Sequence, residues 1–325
     1  CPKASSTRWA PTTVPGSDLV PSFSLAVGPV LTYWSRRALT AFYADVAESP
    51  ADTVCLGEIV CSRRHEMKLD DWLALARDLK AAGKDVVLGA QALIESEAEL
   101  RALRRIVELG EFLVEANDAA ALNLLAGRAR FVVGPHVNVY SRLALDELAA
   151  LGACRWVPPV ELSVEAIGAI NAAPFAPDGT DRRVQTEVFA FGRLPLAISA
   201  RCFTARHYGL NRDECQFRCL DHPDGITLST QEGEPFLALN GLQTQSARVQ
   251  CLLGWRDAIA AVGITRLRLS PTARDFVPVI DSFHRVFNLG ADAGAELAAL
   301  QALALPGALA DGYARGGAGH AWQAA

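Results

Sequence analysis

The chain predicts an α/β fold, a (β/α)8 TIM-barrel-like parallel barrel, and three observations lead there. Short β-prone runs alternate with amphipathic helical stretches from residue 24 onward. The runs are apolar with no clear period-2 face, the pattern of strands buried on both sides. About eight of them fit, which suits a closed barrel better than an open sheet. No glycine-rich phosphate loop follows the first run, which weakens the dinucleotide-binding alternative.

The strands are expected at 24–30, 53–56, 85–90, 112–115, 130–133, 155–157 and 184–189, with a last one at 266–269. Amphipathic helical patterns lie between them at 37–46, 69–82, 95–109, 118–125, 141–151 and 163–171. Further helical candidates are 255–262 and 274–288. The regular alternation breaks after the seventh strand. An insertion of about 190–262 carries three cysteines and a hairpin, 226–229 with 235–239, turning at 231–233. An excursion of that length is usually functional. In a barrel it is a βα loop on the C-terminal face, where active sites sit. The domain plan is a leader over 1–22, a barrel domain over 23–300 that includes the insertion, and a C-terminal tail over 301–325.

Composition narrows the function. The chain has 325 residues, of which 50% are hydrophobic, enough for a substantial core. A net charge of −5 argues against a nucleic-acid partner. No run approaches the ~18 apolar residues of a spanning helix, so no integral membrane segment is expected. The first 22 residues are polar and proline-rich, unlike a signal peptide. The expected location is cytoplasmic. There, thiols stay reduced, and clustered cysteines indicate metal rather than disulfide.

Cys202, Cys215 and Cys219 are spaced C-x12-C-x3-C in a polar, glycine-containing segment. Three thiolates are one short of a closed tetrahedral site. Cys61 lies a few residues past the second strand, on a βα loop of the same barrel face, and can complete the set. Cys55, Cys154 and Cys251 sit in apolar runs and read as core side chains. Cys1 belongs to the leader. Spacing alone leaves the metal open. Structural zinc favours paired C-x2–4-C knuckles, and only Cys215 and Cys219 approach that. Scattered thiolates on rigid elements suit a [4Fe–4S] cluster equally. Arg201, Arg206, Arg212 and Arg218 could offset the negative charge or form a solvated surface. His65, Arg63 and Arg64 adjoin Cys61 and could tune a cluster.

Residues 187–206, EVFAFGRLPLAISARCFTAR, resemble the signature E-x-F-x-H-G-x-L-C-x-x-x-S-x-x-C of the U32 peptidase-like family. Glu187, Phe189, Gly192, Leu194, Ser199 and Cys202 match it. Phe191 and Pro195 stand where the signature has His and Cys, and neither can ligate a metal or move a proton. These departures, with LGEIVCSRR (56–64), RWVPPVELS (155–163), RDECQFRC (212–219) and LNGLQTQSA (239–247), resemble the ubiquinone-biosynthesis branch of that family. The likeness runs from residue 24 to about 269. It implies a [4Fe–4S] cluster on Cys61, Cys202, Cys215 and Cys219. It implies an oxygen-independent hydroxylation of a prenylated phenol, with a homologous UbiU-like subunit as heterodimer partner. A UbiT-like lipid-binding accessory protein and prephenate as oxygen donor are implied as well. A zinc-stabilised binding subunit and a U32-type peptidase are the rival readings.

Other polar residues at strand ends are expected to face the same mouth: Glu58, Gln91, Glu115, Asn117, His136, Asn138, Glu161 and Glu187. Carboxylates in a cleft often have shifted pKa values. His136 is the histidine best placed, just after a strand. Residues 241–250 read as a polar segment that lines the site or meets a partner. The glycine-rich tail, with Tyr313 and Trp322, is expected to dock on the body or a partner, or to fray.

Overall fold

The computed structural model describes residues 22–172 and 184–323. The leader expected over 1–22 therefore falls, but for its last residue, outside the described residues. The elements are β1 (Ser24–Val27), α1 (Arg36–Glu48), β2 (Thr53–Leu56), α2 (Leu69–Ala81), β3 (Asp85–Gly89), α3 (Glu97–Leu109), β4 (Leu113–Ala116) and α4 (Ala119–Leu125). They continue as β5 (Phe131–Val133), α5 (Arg142–Ala150), β6 (Ala153–Trp156), α6 (Val164–Ile170), β7 (Gln185–Ile198) and α7 (Phe203–His207). Then come β8 (Ile226–Ser229), β9 (Pro235–Asn240), β10 (Gln243–Cys251), α8 (Arg256–Ala261), β11 (Arg266–Leu269), α9 (Phe276–Leu289), α10 (Ala293–Gln301) and β12 (Leu309–Ala310).

Eight of these strands close a ring. β1 to β7 pair in sequence order, β7 pairs β11, and β11 returns to β1, every pairing parallel. The fold is the expected (β/α)8 barrel. Strand residues that point outward, such as Val54, Leu56, Leu88 and Val114, pack under the helices in one continuous core. Inward-pointing Cys55, Val87, Val132 and Val157 form a small apolar plug inside the barrel. The helices carry their own start and stop signals. Ser96 and Glu99 make a capping box at the head of α3, and Gly110 ends that helix in the left-handed region. α9 turns Phe276, Val279, Ile280, Phe283 and Phe287 to the barrel wall.

Three expectations need correction. The seventh strand was read as 184–189, but β7 runs on to Ile198. Its first half closes the barrel, and its second half leaves the barrel and pairs antiparallel with β10. The residue at the exit is Gly192, at φ +115°, where a Cβ would lie 2.6 Å from the Cβ of Ser270. Only glycine takes that path without strain. Second, residues 241–250, read as a polar segment without a strand, are largely strand: β10 pairs β9, β9 pairs β8, and Gln243, Gln245 and Gln250 are buried. The excursion is thus a four-stranded antiparallel extension built on β7. Third, the residues expected at the mouth separate. Glu187 lies near the start of the lengthened β7, opposite Arg266, inside the barrel. Asn138 and Glu161 are exposed, and Glu161 accepts a hydrogen bond from Tyr140.

α10 was not anticipated; Asp292 caps it through Ala295 N. The tail, as far as it is described, lies on the body. β12 pairs β10, and buried Asp311 accepts hydrogen bonds from Trp255 Nε1 (3.3 Å) and Gln323 N (3.1 Å).

Inside the barrel, charge is paired with charge. Glu187 meets Arg268 Nε at 2.7 Å, Arg155 at 3.4 Å and Arg266 at 3.5 Å. Arg268 also reaches Glu115 at 2.5 Å, and Arg266 donates to Thr53 at 2.6 Å. Burial pushes the Glu187 carboxyl up, but the three guanidiniums hold it below the ordinary glutamate range. Glu115 in turn accepts from Asn117 Nδ2 at 3.1 Å.

Candidate metal centre

All four candidate cysteines line one small pocket, although they come from two distant parts of the chain. Cys61 stands on the loop after β2. Cys202 caps α7, its Sγ accepting from Ala205 N at 3.4 Å. Cys215 and Cys219 flank a tight reversal. Between them Gln216 and Phe217 both adopt positive φ, 50° and 53°, a costly backbone for residues other than glycine. The Phe217 ring holds the reversal down, packing edge-on to His65 at 4.6 Å and against Tyr33 at 6.2 Å. Cys61 and Cys219 are buried, and Cys202 and Cys215 are half-buried. The seven cysteines among the described residues are all free thiols. Cys55 and Cys251 are core, as expected. Cys154 is half-buried and donates to Phe131 O at 3.3 Å.

Two arginines frame the pocket. Arg64 is buried, and its guanidinium donates to Leu31 O (3.1 Å), Glu58 Oε1 (3.2 Å), Asn240 O (3.2 Å) and Asn240 Oδ1 (2.5 Å). It also lies 5.4 Å from the centre of the Tyr33 ring. Arg63 ties the same loop to the excursion through Asp213 Oδ1 (2.9 Å) and Asp213 O (2.7 Å). The Nε atoms of both arginines are buried with no protein partner. Arg212 pairs with Glu95 at 2.6 Å and donates to Ala200 O at 2.9 Å.

Asn240 is the residue that sequence reasoning missed. It is fully buried and joins the parts: Oδ1 accepts from Arg64 and Tyr33 N, and Nδ2 donates to Cys219 O (3.2 Å) and His222 O (2.9 Å). A polar residue closing the apolar run PFLALN just before a glycine was its only signal. Gly241, at φ +68°, is also required, since a Cβ there would lie 2.8 Å from Arg64 Nη2. Gly241 O accepts from Phe203 N at 2.8 Å, which docks α7 and Cys202 on the β9–β10 turn.

Burial pushes the Cys219 thiol up to about 11 and raises Cys61 too, while the Arg64 charge pulls both back. Any metal must therefore displace protons here, and its binding strengthens as pH rises. The donor set fits a thiolate-bound metal group. Four reduced sulfurs line one hollow, with two guanidiniums beside it holding spare N–H donors. Among the described residues no three His, Cys, Asp or Glu side chains converge on a single ion position.

His136 sits half-buried at the barrel mouth after β5. Burial pushes its pKa down to about 4, so it is neutral near pH 7. It does not join the cysteines. Phe191 is fully buried against Phe283 at 6.0 Å, and Pro195 lies in β7 opposite Gln245, so neither position holds a metal ligand or a proton-transfer group. Among the described residues, no helix is long and apolar enough to cross a membrane.

The backbone is similar to those of other barrels. Dihydropteroate synthase from Burkholderia cenocepacia matches 86% of this chain and 93% of its own at 14% identity, with a TM-score of 0.38. Phospho-2-dehydro-3-deoxyheptonate aldolase from Thermotoga maritima matches 89% and 72% at 12% identity, with a TM-score of 0.42. A model of the family described as Peptidase family U32 matches residues 40–275, most of the barrel with its cysteine-bearing extension, and the chain belongs to that family.

Proposed function

We propose that this chain is a UbiV-like subunit of an oxygen-independent hydroxylase in ubiquinone biosynthesis, holding a [4Fe–4S] cluster on Cys61, Cys202, Cys215 and Cys219. The observation that carries the reading is the gathering of these four thiols in one pocket beside a buried cation. A four-iron cluster is several ångströms wide, so its thiolates need not point at one centre. A lone tetrahedral zinc needs all four sulfurs about 2.3 Å from the ion.

A bound cluster would supply one-electron redox chemistry or organise the site. The protein's own share is clear from the residues. Arg64 and Arg63 would donate toward the thiolates, Asn240 would keep the Cys219 loop in register, and the buried walls would limit water. The prenylated phenol, prephenate as oxygen donor, the UbiU-like partner and the UbiT-like accessory protein belong to this proposal through the family resemblance. A peptidase reading finds no support, since the described residues show no nucleophile–base pair at the site.

The test is anaerobic quinone synthesis in cells that depend on this chain and its partner. Cys202→Ala is expected to abolish it with protein level unchanged. Undiminished quinone synthesis in Cys202→Ala would refute the proposal, and casein cleavage by the pure protein would favour the peptidase.

A further inference from the structure

A second cavity opens a few residues from Cys61. It lies between α2 and α3 at the C-terminal end of the barrel, with a volume of about 350 Å3, within the range of small-ligand pockets. Its origin is in the sequence of α3. That helix turns Ala98, Ala102 and Ile106, spaced four apart, toward α2, and the two alanines are too small to fill the space. Both are exposed. α3 packs against α4, and its Arg105 reaches Asp70 of α2 at 2.5 Å across the cleft. The floor is Leu56 and Leu88, and the far wall is Leu69 and Trp72.

The cavity is polar only at the end that meets the cysteine loop. Ser62, next to Cys61, lies there and hydrogen-bonds Glu99. Gln91 lines the same end, and its side-chain amide has no protein partner among the described residues. Glu95, just before α3, carries the ion pair to Arg212 from the cysteine excursion. The cavity is thus apolar along its length, and its polar end carries Glu58, Ser62, Ser96 and Glu99 besides the Gln91 amide. A larger hollow of about 680 Å3 lies between α1 and α9, with Asp45, Arg274 and Asp275 in its lining.

We infer that the α2–α3 cleft binds the hydrocarbon chain of an amphipathic substrate and that Gln91 hydrogen-bonds its polar head beside the Cys61 loop. The proposal deepens the function given above and rests on it for naming the head as a phenol and the chain as prenyl. Burial of an apolar chain supplies affinity, at about 25 cal/mol per Å2 before ordering costs. The single amide fixes orientation.

The test is equilibrium dialysis of 2-farnesylphenol, farnesol and phenol against the anaerobically purified full chain. No turnover is needed. Wild type is expected to bind both farnesyl compounds saturably and phenol hardly at all. Ala102→Trp fills the cleft from an exposed helix position, so the fold should survive, and Ala98→Trp repeats the block one turn away. Each is expected to weaken both farnesyl compounds at least tenfold. Gln91→Leu is expected to weaken 2-farnesylphenol several-fold and to leave farnesol unchanged. Saturable binding that both tryptophan variants leave intact would overturn the proposal, and so would no saturable binding by wild type. Iron and sulfide measured on the same samples separate the two claims. Full cluster without chain binding overturns the cleft and leaves the proposed function standing. Chain binding without iron, lost in Ala102→Trp, supports the cleft and contradicts the cluster.

Discussion

The barrel interior and the cysteine pocket are both buried and polar, yet they solve the problem of buried polarity in opposite ways. In the interior every carboxylate has its guanidinium: Glu187 meets three arginines, and Glu115 shares Arg268 with it. In the pocket four free thiols gather in one hollow, and buried nitrogens without a partner occur in both regions, Arg63 and Arg64 Nε beside the thiols and Arg155 Nε in the interior. A network closed on itself does structural work. Four free thiols in one hollow beside a buried guanidinium, with no disulfide among them, form a donor set that a guest can use.

That contrast can be broken from either side. The largest effect should come from Arg268→Met, which strands Glu115 inside the barrel and takes one of its three arginines from Glu187. Removing one partner of a buried pair costs about 3–5 kcal/mol. Urea unfolding should read a loss of that size. A loss under 1 kcal/mol would mean the interior is not the closed network described here. Arg64→Met should cost less, about 1–3 kcal/mol, for orphaned acceptors at Asn240, Leu31 and Glu58. Its distinguishing consequence is weaker metal retention at unchanged cysteine content, measured by iron analysis after chelator challenge. Equal retention would detach Arg64 from the pocket's chemistry.

His136 gives a smaller, pH-dependent effect. Its folded pKa of about 4 lies below the ordinary 6.5, so the unfolded chain takes up the proton first. Its contribution is complete above pH 6.5 and is lost as pH falls toward 4, at up to about 1.4 kcal/mol per pH unit. His136→Gln should flatten the stability curve in that window, read by urea midpoints. An unchanged slope would show that the folded chain does not hold the His136 ring neutral. The smallest effect belongs to Tyr140→Phe, which removes an exposed hydrogen bond to Glu161 and should shift stability by less than about 0.5 kcal/mol.

Much of this architecture is legible in the residues themselves. The strands from β1 to β6 and β11 are short runs buried on both faces, and composition reveals such runs. The seventh strand was expected to end at 189, whereas Gly192 is the turn that carries it on and out of the barrel. β10 hid because its inward residues are glutamines, buried against the barrel mouth rather than apolar. Cys61 was found by topology, since the loop after β2 and the excursion share a face. Asn240 was not, because its role depends on three segments that meet only in the folded chain.

The most direct test of the central claim is iron, acid-labile sulfide and the visible spectrum of anaerobically purified wild type and Cys61→Ala. The account predicts a brown wild-type protein with about four irons and four sulfides per chain, and a variant that folds but loses most of both. A colourless wild type holding one zinc, or a cluster that survives Cys61→Ala intact, would contradict it.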